Sequence, residues 1–301
     1  MFSHIKWFTL RASFMAKRDG QLPPYLGSTV RGLIGHSLRE MVCHTPKLKC
    51  MDCSLTATCE YAKYFVSPKN IAGSVNPYVL RVLTKDKTLW HKGDICEFDI
   101  TLLGEMVDGL SLMIKIFQQI ERLGWGAERI PFKLLKVTDP NTNQIVWCEN
   151  KTHTNDIRIQ ELACGERNAS VIFMKFPTPL RLQKSKKLIV MPTFENIIEG
   201  IARRLGLISH AYAGHQLEWD SGSMLAKARE VRVVNSNWQK DVFQRYSMNQ
   251  KNQRLEFETI TGWVYYEGDV TPFTPLLQAG QLLHIGRNPT HGFGYYTIDY
   301  R

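Results

Sequence analysis

The chain has 301 residues and 44% hydrophobic content, enough apolar side chain to fill more than one packed core, which excludes a disordered tail or a fibrous repeat. Lysine and arginine number 38 against 28 aspartate and glutamate, a formal net charge of +10 that suits a polyanionic partner. No apolar run approaches the roughly 18 residues that a bilayer requires, and the opening segment lacks the apolar core of a signal peptide, so a cytoplasmic protein with no membrane partner is expected.

The first element reads as a strand. Ile5, Trp7, Thr9, Arg11 and Ser13 alternate with Lys6, Phe8, Leu10 and Ala12, a two-residue period with apolar side chains on both faces. A turn at Arg18-Asp19-Gly20 and the pair Pro23-Pro24 lead to Ser28, a suitable N-cap for a helix over 29–42. Val30, Leu33, Ile34, Leu38 and Met41 form its apolar stripe. At about 100° per residue, Gly32, His36 and Arg39 fall on the opposite side. The pattern then predicts a strand over 94–103, a helix over 110–123 closed by Gly124, and a strand over 131–138. The order β, α, β, β, α, β fits a ferredoxin-like layer, an antiparallel sheet with two helices on one face.

Residues 141–168 are polar apart from Ile145-Val146-Trp147, and read as a connection with one short hairpin between domains at 1–140 and 169–301. The second series opens with a strand from Val171 into Pro177-Thr178-Pro179. Phe194, Ile197, Ile198, Ile201 and Leu205 mark an amphipathic helix closed by Arg203, Arg204 and Gly206. Strands near 231–234 and 255–266 flank a basic tip, followed by a helical turn near 275–280 and a last strand over 295–300. The expected class is α+β, two tandem ferredoxin-like domains, with a small cysteine-rich insertion at about 43–61.

That insertion holds four of the seven cysteines, Cys43, Cys50, Cys53 and Cys59. An odd total in a cytosolic chain argues against a disulfide framework. Four thiolates in one window suit a single tetrahedral ion, with structural zinc as the first expectation, an iron–sulfur cluster as the alternative, and four separate reduced thiols as the plain reading. His44 is placed to replace one ligand. Cys96, Cys148 and Cys164 are scattered and read as small buried hydrophobes. The carboxy end, LLHIGRNPTHGFGYYTIDYR, carries Gly286, Arg287, Gly292, Phe293 and Gly294. Glycines there permit positive φ and present backbone N–H groups to phosphate oxygens, although a bulged hairpin has the same signature. Neither a P-loop nor a dinucleotide fingerprint is present.

The ending G-R-N-P-T-H-G-F-G-Y-Y resembles the glycine-rich loop of the RAMP superfamily, specifically its CRISPR repeat-RNA processing endoribonucleases (the Cas-six family). The run L-G-S-T-V-R-G-L-I-G-H-S-L-R-E from Leu26 to Glu40 is similar to their first helix. The cysteine run from Cys43 to Tyr61 resembles the cysteine-bearing branch, and F-P-T-P-L-R-L from Phe176 to Leu182 resembles the opening of their second domain. The resemblance spans the chain and implies two ferredoxin-like domains that hold repeat RNA, with cleavage by attack of the 2′-hydroxyl and no catalytic metal.

Family enzymes commonly carry a histidine on or near the first helix, which points to His36, a residue type able to move a proton near neutral pH. Arg39, one turn on, suits charge developing on phosphate, and Tyr25 and His44 are further proton-moving candidates. RNA contacts are expected from Arg31, Arg229, Arg232, Lys240, Arg245 and the glycine run. Lys251, Arg254, Trp238 and Tyr246 lie in the same basic and aromatic stretch. The main alternative is a non-cleaving RAMP subunit that grips guide RNA among other CRISPR effector subunits. A zinc-containing DNA-binding regulator ranks below both, because no helix rich in basic residues accompanies the cysteines.

Overall fold

The computed structural model describes residues 1–66, 75–84, 86–153, 157–247 and 253–301. The chain divides into two units, one formed by Lys6–Gln160 and the other by Met1–Ile5 with Glu161–Arg301.

In the first unit, alternate residues of Lys6–Ala16 (β1) turn inward, and Phe8, Leu10, Ala12 and Phe14 are buried. Gly27–Val42 (α1) adds Val30, Leu33, Ile34 and Leu38 to the same core. The short helix Glu60–Phe65 (α2) follows, then the strands Tyr78–Val82 (β2) and Ile95–Leu103 (β3). Leu110–Ile120 (α3) buries Met113, Ile114, Phe117 and Ile120, and Ile130–Thr138 (β4) closes the βαββαβ series. The sheet order is β2-β3-β1-β4 with antiparallel neighbours, the ferredoxin-like arrangement.

Several local expectations change. The second face of β1 is polar: Thr9 bonds Thr101 at 2.8 Å, Arg11 grips Asp99 with two bonds at 2.7 and 3.0 Å, and Ser13 donates to Glu97 at 2.6 Å. Helix α1 starts at Gly27 with Leu26 at its N-cap and no side-chain cap, while Ser28 sits in the first turn with a buried hydroxyl that finds no partner among the described residues. Helix α3 stops at Ile120, and Gly124 instead pairs with Pro131. The short hairpin expected within the connection does form, from strands Ile145–Cys148 (β5) and Lys151–Thr152 (β6), and it extends the first sheet beyond β4.

The second unit repeats the order. Val171–Leu180 (β7) buries Ile172, Met174, Phe176 and Leu180 on one face. Phe194–Tyr212 (α4) is capped by Thr193 in a reciprocal capping box and runs past Arg204, which is buried within it and does not close it. Ser221–Glu230 (α5), capped by Asp220, precedes a long hairpin of Arg232–Ser247 (β8) and Gln253–Glu267 (β9). Thr274–Leu283 (α6) and Thr297–Tyr300 (β10) complete it. The sheet order β8-β9-β7-β10 repeats the topology of the first unit. The pairing of β7 with β9 ends at Leu180↔Ile260, so the remainder of the hairpin, paired as far as Ser247↔Gln253, stands as a two-stranded arm. No helix among the described residues is long and apolar enough to cross a membrane.

Candidate functional site

On α1 the chemistry-bearing side chains separate from the core as the helical period dictates. His36 is exposed, one position from the buried Ser37 and two from the buried Ile34 and Leu38. Arg39 donates to the Pro46 carbonyl at 3.0 Å and lies over the Tyr61 ring at 5.8 Å, which holds one end of the guanidinium and leaves further donors on the other. Arg31 stacks over Phe65 at 5.3 Å. Burial pushes the phenol of Tyr25 up, so it stays protonated. His44 is exposed just past the end of the helix.

The four cysteines are free, half-buried thiols that line one cavity of about 380 Å³ together with His44. Among the described residues, however, no three His, Cys, Asp or Glu side chains are placed to hold a metal ion. The expectation of zinc or an iron–sulfur cluster, and of a metal-bound insertion, therefore has no support in this geometry. The segment is closed by other bonds. The Thr56 hydroxyl donates to the carbonyls of Cys50 and Cys53, and the Thr45 hydroxyl lies 3.2 Å from the Cys53 sulfur. The bond from Thr45 lowers the Cys53 thiol, while burial raises that of Cys50.

At the carboxy end the backbone takes positive φ at His284, Gly286, Asn288, Gly292 and Gly294. A Cβ on Gly286 would meet the Arg181 carbonyl oxygen at 2.6 Å, and one on Gly294 would meet the Ile285 oxygen at 1.8 Å. The run crosses its own chain and β7 too closely for any side chain. Its amides are largely used internally: Gly292 donates to Pro289, Phe293 to Asn288, Gly294 to Pro179 and Arg287 to Arg181. Phe293 is fully buried, edge-on to Phe243 at 4.9 Å, so it anchors the loop and is not offered to a ligand. Gly292 and Gly294 are buried with it. Arg287 is exposed, and Gly286 and Asn288 keep N–H groups that the loop's own bonds, among the described residues, do not use.

Sequence reasoning missed Arg181. One of its terminal nitrogens donates to Asn288 Oδ1 at 3.3 Å, its guanidinium lies 4.8 Å over Phe257, and its buried Nε has no partner among the described residues. Burial, then the nearby Arg287, push its pKa down. Two arginines beside unused backbone amides form an anion-attracting surface. Its only advance signal is position, the arginine of F-P-T-P-L-R-L. Behind the loop, Arg204 of α4 donates to the carbonyl of Leu283, the last residue of α6, and burial lowers its pKa to about 9.

The other basic candidates stand in exposed ion pairs. Arg229 lies on α5 and meets Glu195 at 2.7 Å. Arg232 meets Glu267 at 3.0 Å, and Lys240 meets Glu258 at 2.6 Å. Such pairs open readily for a stronger anion, since each contributes roughly 1 kcal/mol or less. Lys251 and the side chains of Arg245, Tyr246 and Arg254 lie outside the described residues.

Comparison with known proteins fits this geometry. A family model described as an N-terminal domain matches residues 5–160, and the model of the CRISPR-associated endoribonuclease Cas6 matches residues 174–296. An uncharacterized protein of Archaeoglobus fulgidus is 24% identical over 286 residues, 92% of either chain. A Cas6 product complex aligns at TM-score 0.59 with 12% identity, over 97% of this chain and 100% of that one. The Cas6 of Thermus thermophilus aligns at 0.58 with 11% identity, over 98% and 99%. A chain of a partial Cas6-RT-Cas1–Cas2 complex aligns at 0.63 with 11% identity; 99% of this chain matches 47% of that one, so the chain spans about half of that larger relative. At these identities the structural likeness speaks for the fold alone. Residues 174–296 thus belong to the Cas6 family of CRISPR-associated endoribonucleases, and the chain carries the fold of Cas6 proteins from end to end.

Proposed function

We propose that the protein cuts the repeats of precursor CRISPR RNA through attack of the RNA's own 2′-hydroxyl on the adjacent phosphate, without a divalent metal in the step. The observation that carries this reading is the match of residues 174–296 to an endoribonuclease family. His36 supports the chemistry: it is exposed on the polar side of α1, free to take the 2′-hydroxyl proton. The 2′-oxygen then bonds phosphorus, the bond to the 5′-oxygen breaks, and that oxygen leaves with a proton from an acid. Tyr25, held protonated, and His44 are the candidates for that acid. Arg39 would offset charge on the phosphate oxygens. The products are a cyclic or opened phosphate upstream and a 5′-hydroxyl downstream.

Arg181, Arg287 and the free amides of Gly286 and Asn288 would seat backbone phosphates, with the ion-paired Arg229, Arg232 and Lys240 as secondary contacts. One structural neighbour carries Cas6 in an assembly with RT, Cas1 and Cas2, and on this reading the protein works in the cytoplasm beside other CRISPR subunits. The test is incubation with repeat RNA in excess chelator. Cutting at one position, at an unchanged rate, is expected. Cutting that needs an added divalent ion would overturn the metal-free step. Binding without cutting under any condition would favour a subunit that only holds guide RNA.

A further inference from the structure

The cutting reaction leaves the thiols of residues 43–61 unused, and two of them are built into one turn. Cys50, Met51 and Asp52 form a single 3₁₀ turn, closed by the Cys53 amide, which donates to the Cys50 carbonyl at 3.4 Å. The Thr56 hydroxyl donates to both cysteine carbonyls and so ties the two ends of the turn together. A closed turn holds its first and fourth Cα atoms within about 7 Å, and a disulfide spans about 4.4–6.8 Å. The C-x2-C spacing therefore sets both backbones where a sulfur–sulfur bond can form with little movement of the chain.

Both residues are free thiols, and both line the cavity of about 380 Å³. Neither is buried as Cys96 is, so a small reagent reaches them. Met41, Leu48 and Leu55 line the same cavity, which suits a small uncharged reagent. The two sulfurs also differ. Thr45 Oγ lies 3.2 Å from the Cys53 sulfur, and a hydroxyl that donates to sulfur favours the thiolate, the attacking form. This contact leads back to α1. Thr45 precedes Pro46, whose carbonyl accepts from Arg39 at 3.0 Å.

We propose that Cys50 and Cys53 form a reversible dithiol–disulfide site that is oxidised by hydroperoxides. The Cys53 thiolate attacks one oxygen of hydrogen peroxide, the O–O bond breaks, and the hydroxide that leaves takes up the proton given up by the thiol. The resulting sulfenic acid is then attacked by the Cys50 sulfur. The S–S bond forms, the S–O bond breaks, and the oxygen leaves as water with the Cys50 proton. Two thiols are oxidised and one peroxide is reduced to two waters. The new bond draws the Cys53 sulfur away from Thr45 and loosens the adjoining hold of Pro46 on Arg39. Only this last consequence rests on the proposed function: with Arg39 offsetting charge on phosphate, the oxidised protein cuts more slowly.

The test treats the reduced, full-length protein with hydrogen peroxide and then blocks the remaining thiols. The chain should lose two thiols and the mass of two hydrogens, and dithiothreitol should restore both. Proteolysis before Asp52, which lies between the pair, should leave the two fragments joined until they are reduced. Cys50→Ser should stop at a sulfenic acid that dimedone labels on Cys53, and Cys53→Ser should form no disulfide. The wild-type fragment map decides the site even where a variant fails to fold. Cutting of saturating repeat RNA should fall about tenfold on oxidation and recover with dithiothreitol. A disulfide through Cys43 or Cys59, oxidation that dithiothreitol does not reverse, or thiols that peroxide leaves intact, with or without a metal ion on them, would overturn the site. A Cys50–Cys53 disulfide with an unchanged cutting rate would overturn its link to Arg39. Failure of the reduced protein to cut any repeat would sink the cleavage reading and leave the disulfide result standing.

Discussion

Replacement of His36 by alanine is expected to lower the rate of repeat cutting by about 10²–10⁴-fold while leaving RNA affinity within about twofold of the wild type. The size follows from the chemistry. A ribose hydroxyl is a poor nucleophile until a base takes its proton, and a positioned imidazole supplies a large part of the rate of such a step. The selectivity follows from placement. His36 sits exposed on α1, away from the buried Val30, Leu33, Ile34 and Leu38, so its truncation removes no core packing. Single-turnover cutting and equilibrium binding, measured on the same preparation, separate the two effects. A parallel loss of both would make His36 a binding residue. An unchanged rate would pass the proton transfer to His44 or another group.

The second large effect is expected at Gly294. A Cβ there would lie 1.8 Å from the Ile285 oxygen and 2.8 Å from its carbonyl carbon, at a φ of +74°. The loop has no room to relax, because Gly294 donates to Pro179 at 2.8 Å and accepts from Ile285 at 3.0 Å. Gly294→Ala should therefore combine left-handed strain with a main-chain collision and destabilise the protein by about 3 kcal/mol or more. The second arm of the experiment is Gly32→Ala. A Cβ at Gly32 in α1 meets nothing within 4 Å, so this change should raise stability by about 0.5–1 kcal/mol. Denaturant melts of the two variants are expected to move in opposite directions. A Gly294→Ala protein of wild-type stability would mean that the loop is not locked against Ile285 and β7.

Much of this architecture is written in local patterns. The apolar stripe of α1 and the alternation in β1, β3, β4 and β7 come from side-chain periods that burial enforces, and they lead directly to the repeated βαββαβ order. What escaped was set by longer-range contact. The hairpin runs far beyond its apolar residues because Asn235 to Lys240 gain their strand conformation by pairing with β9 and not from an alternating pattern. Helix α5 has little apolar periodicity, although Asp220, whose side chain accepts from the Ser223 amide, was a cap signal that could have located it.

The site divides in the same way. The exposed placement of His36 was legible because a helical period tells which side of α1 it occupies. The roles of Phe293 and Arg181 were not, since burial against Phe243 and proximity to Arg287 and Asn288 exist only once the chain has folded. Spacing brought the four cysteines to one cavity but says nothing about whether their sulfurs converge, and among the described residues they do not form a metal-holding set.

The central claim is that the substrate supplies its own nucleophile, and a single atom tests it. Repeat RNA carrying one 2′-deoxy nucleotide immediately upstream of the cut should bind with unchanged affinity and stay intact, while the same substitution one nucleotide away is cut normally. Cleavage of the deoxy-substituted strand at the original position would show that water or a protein group attacks the phosphate, and would contradict the account.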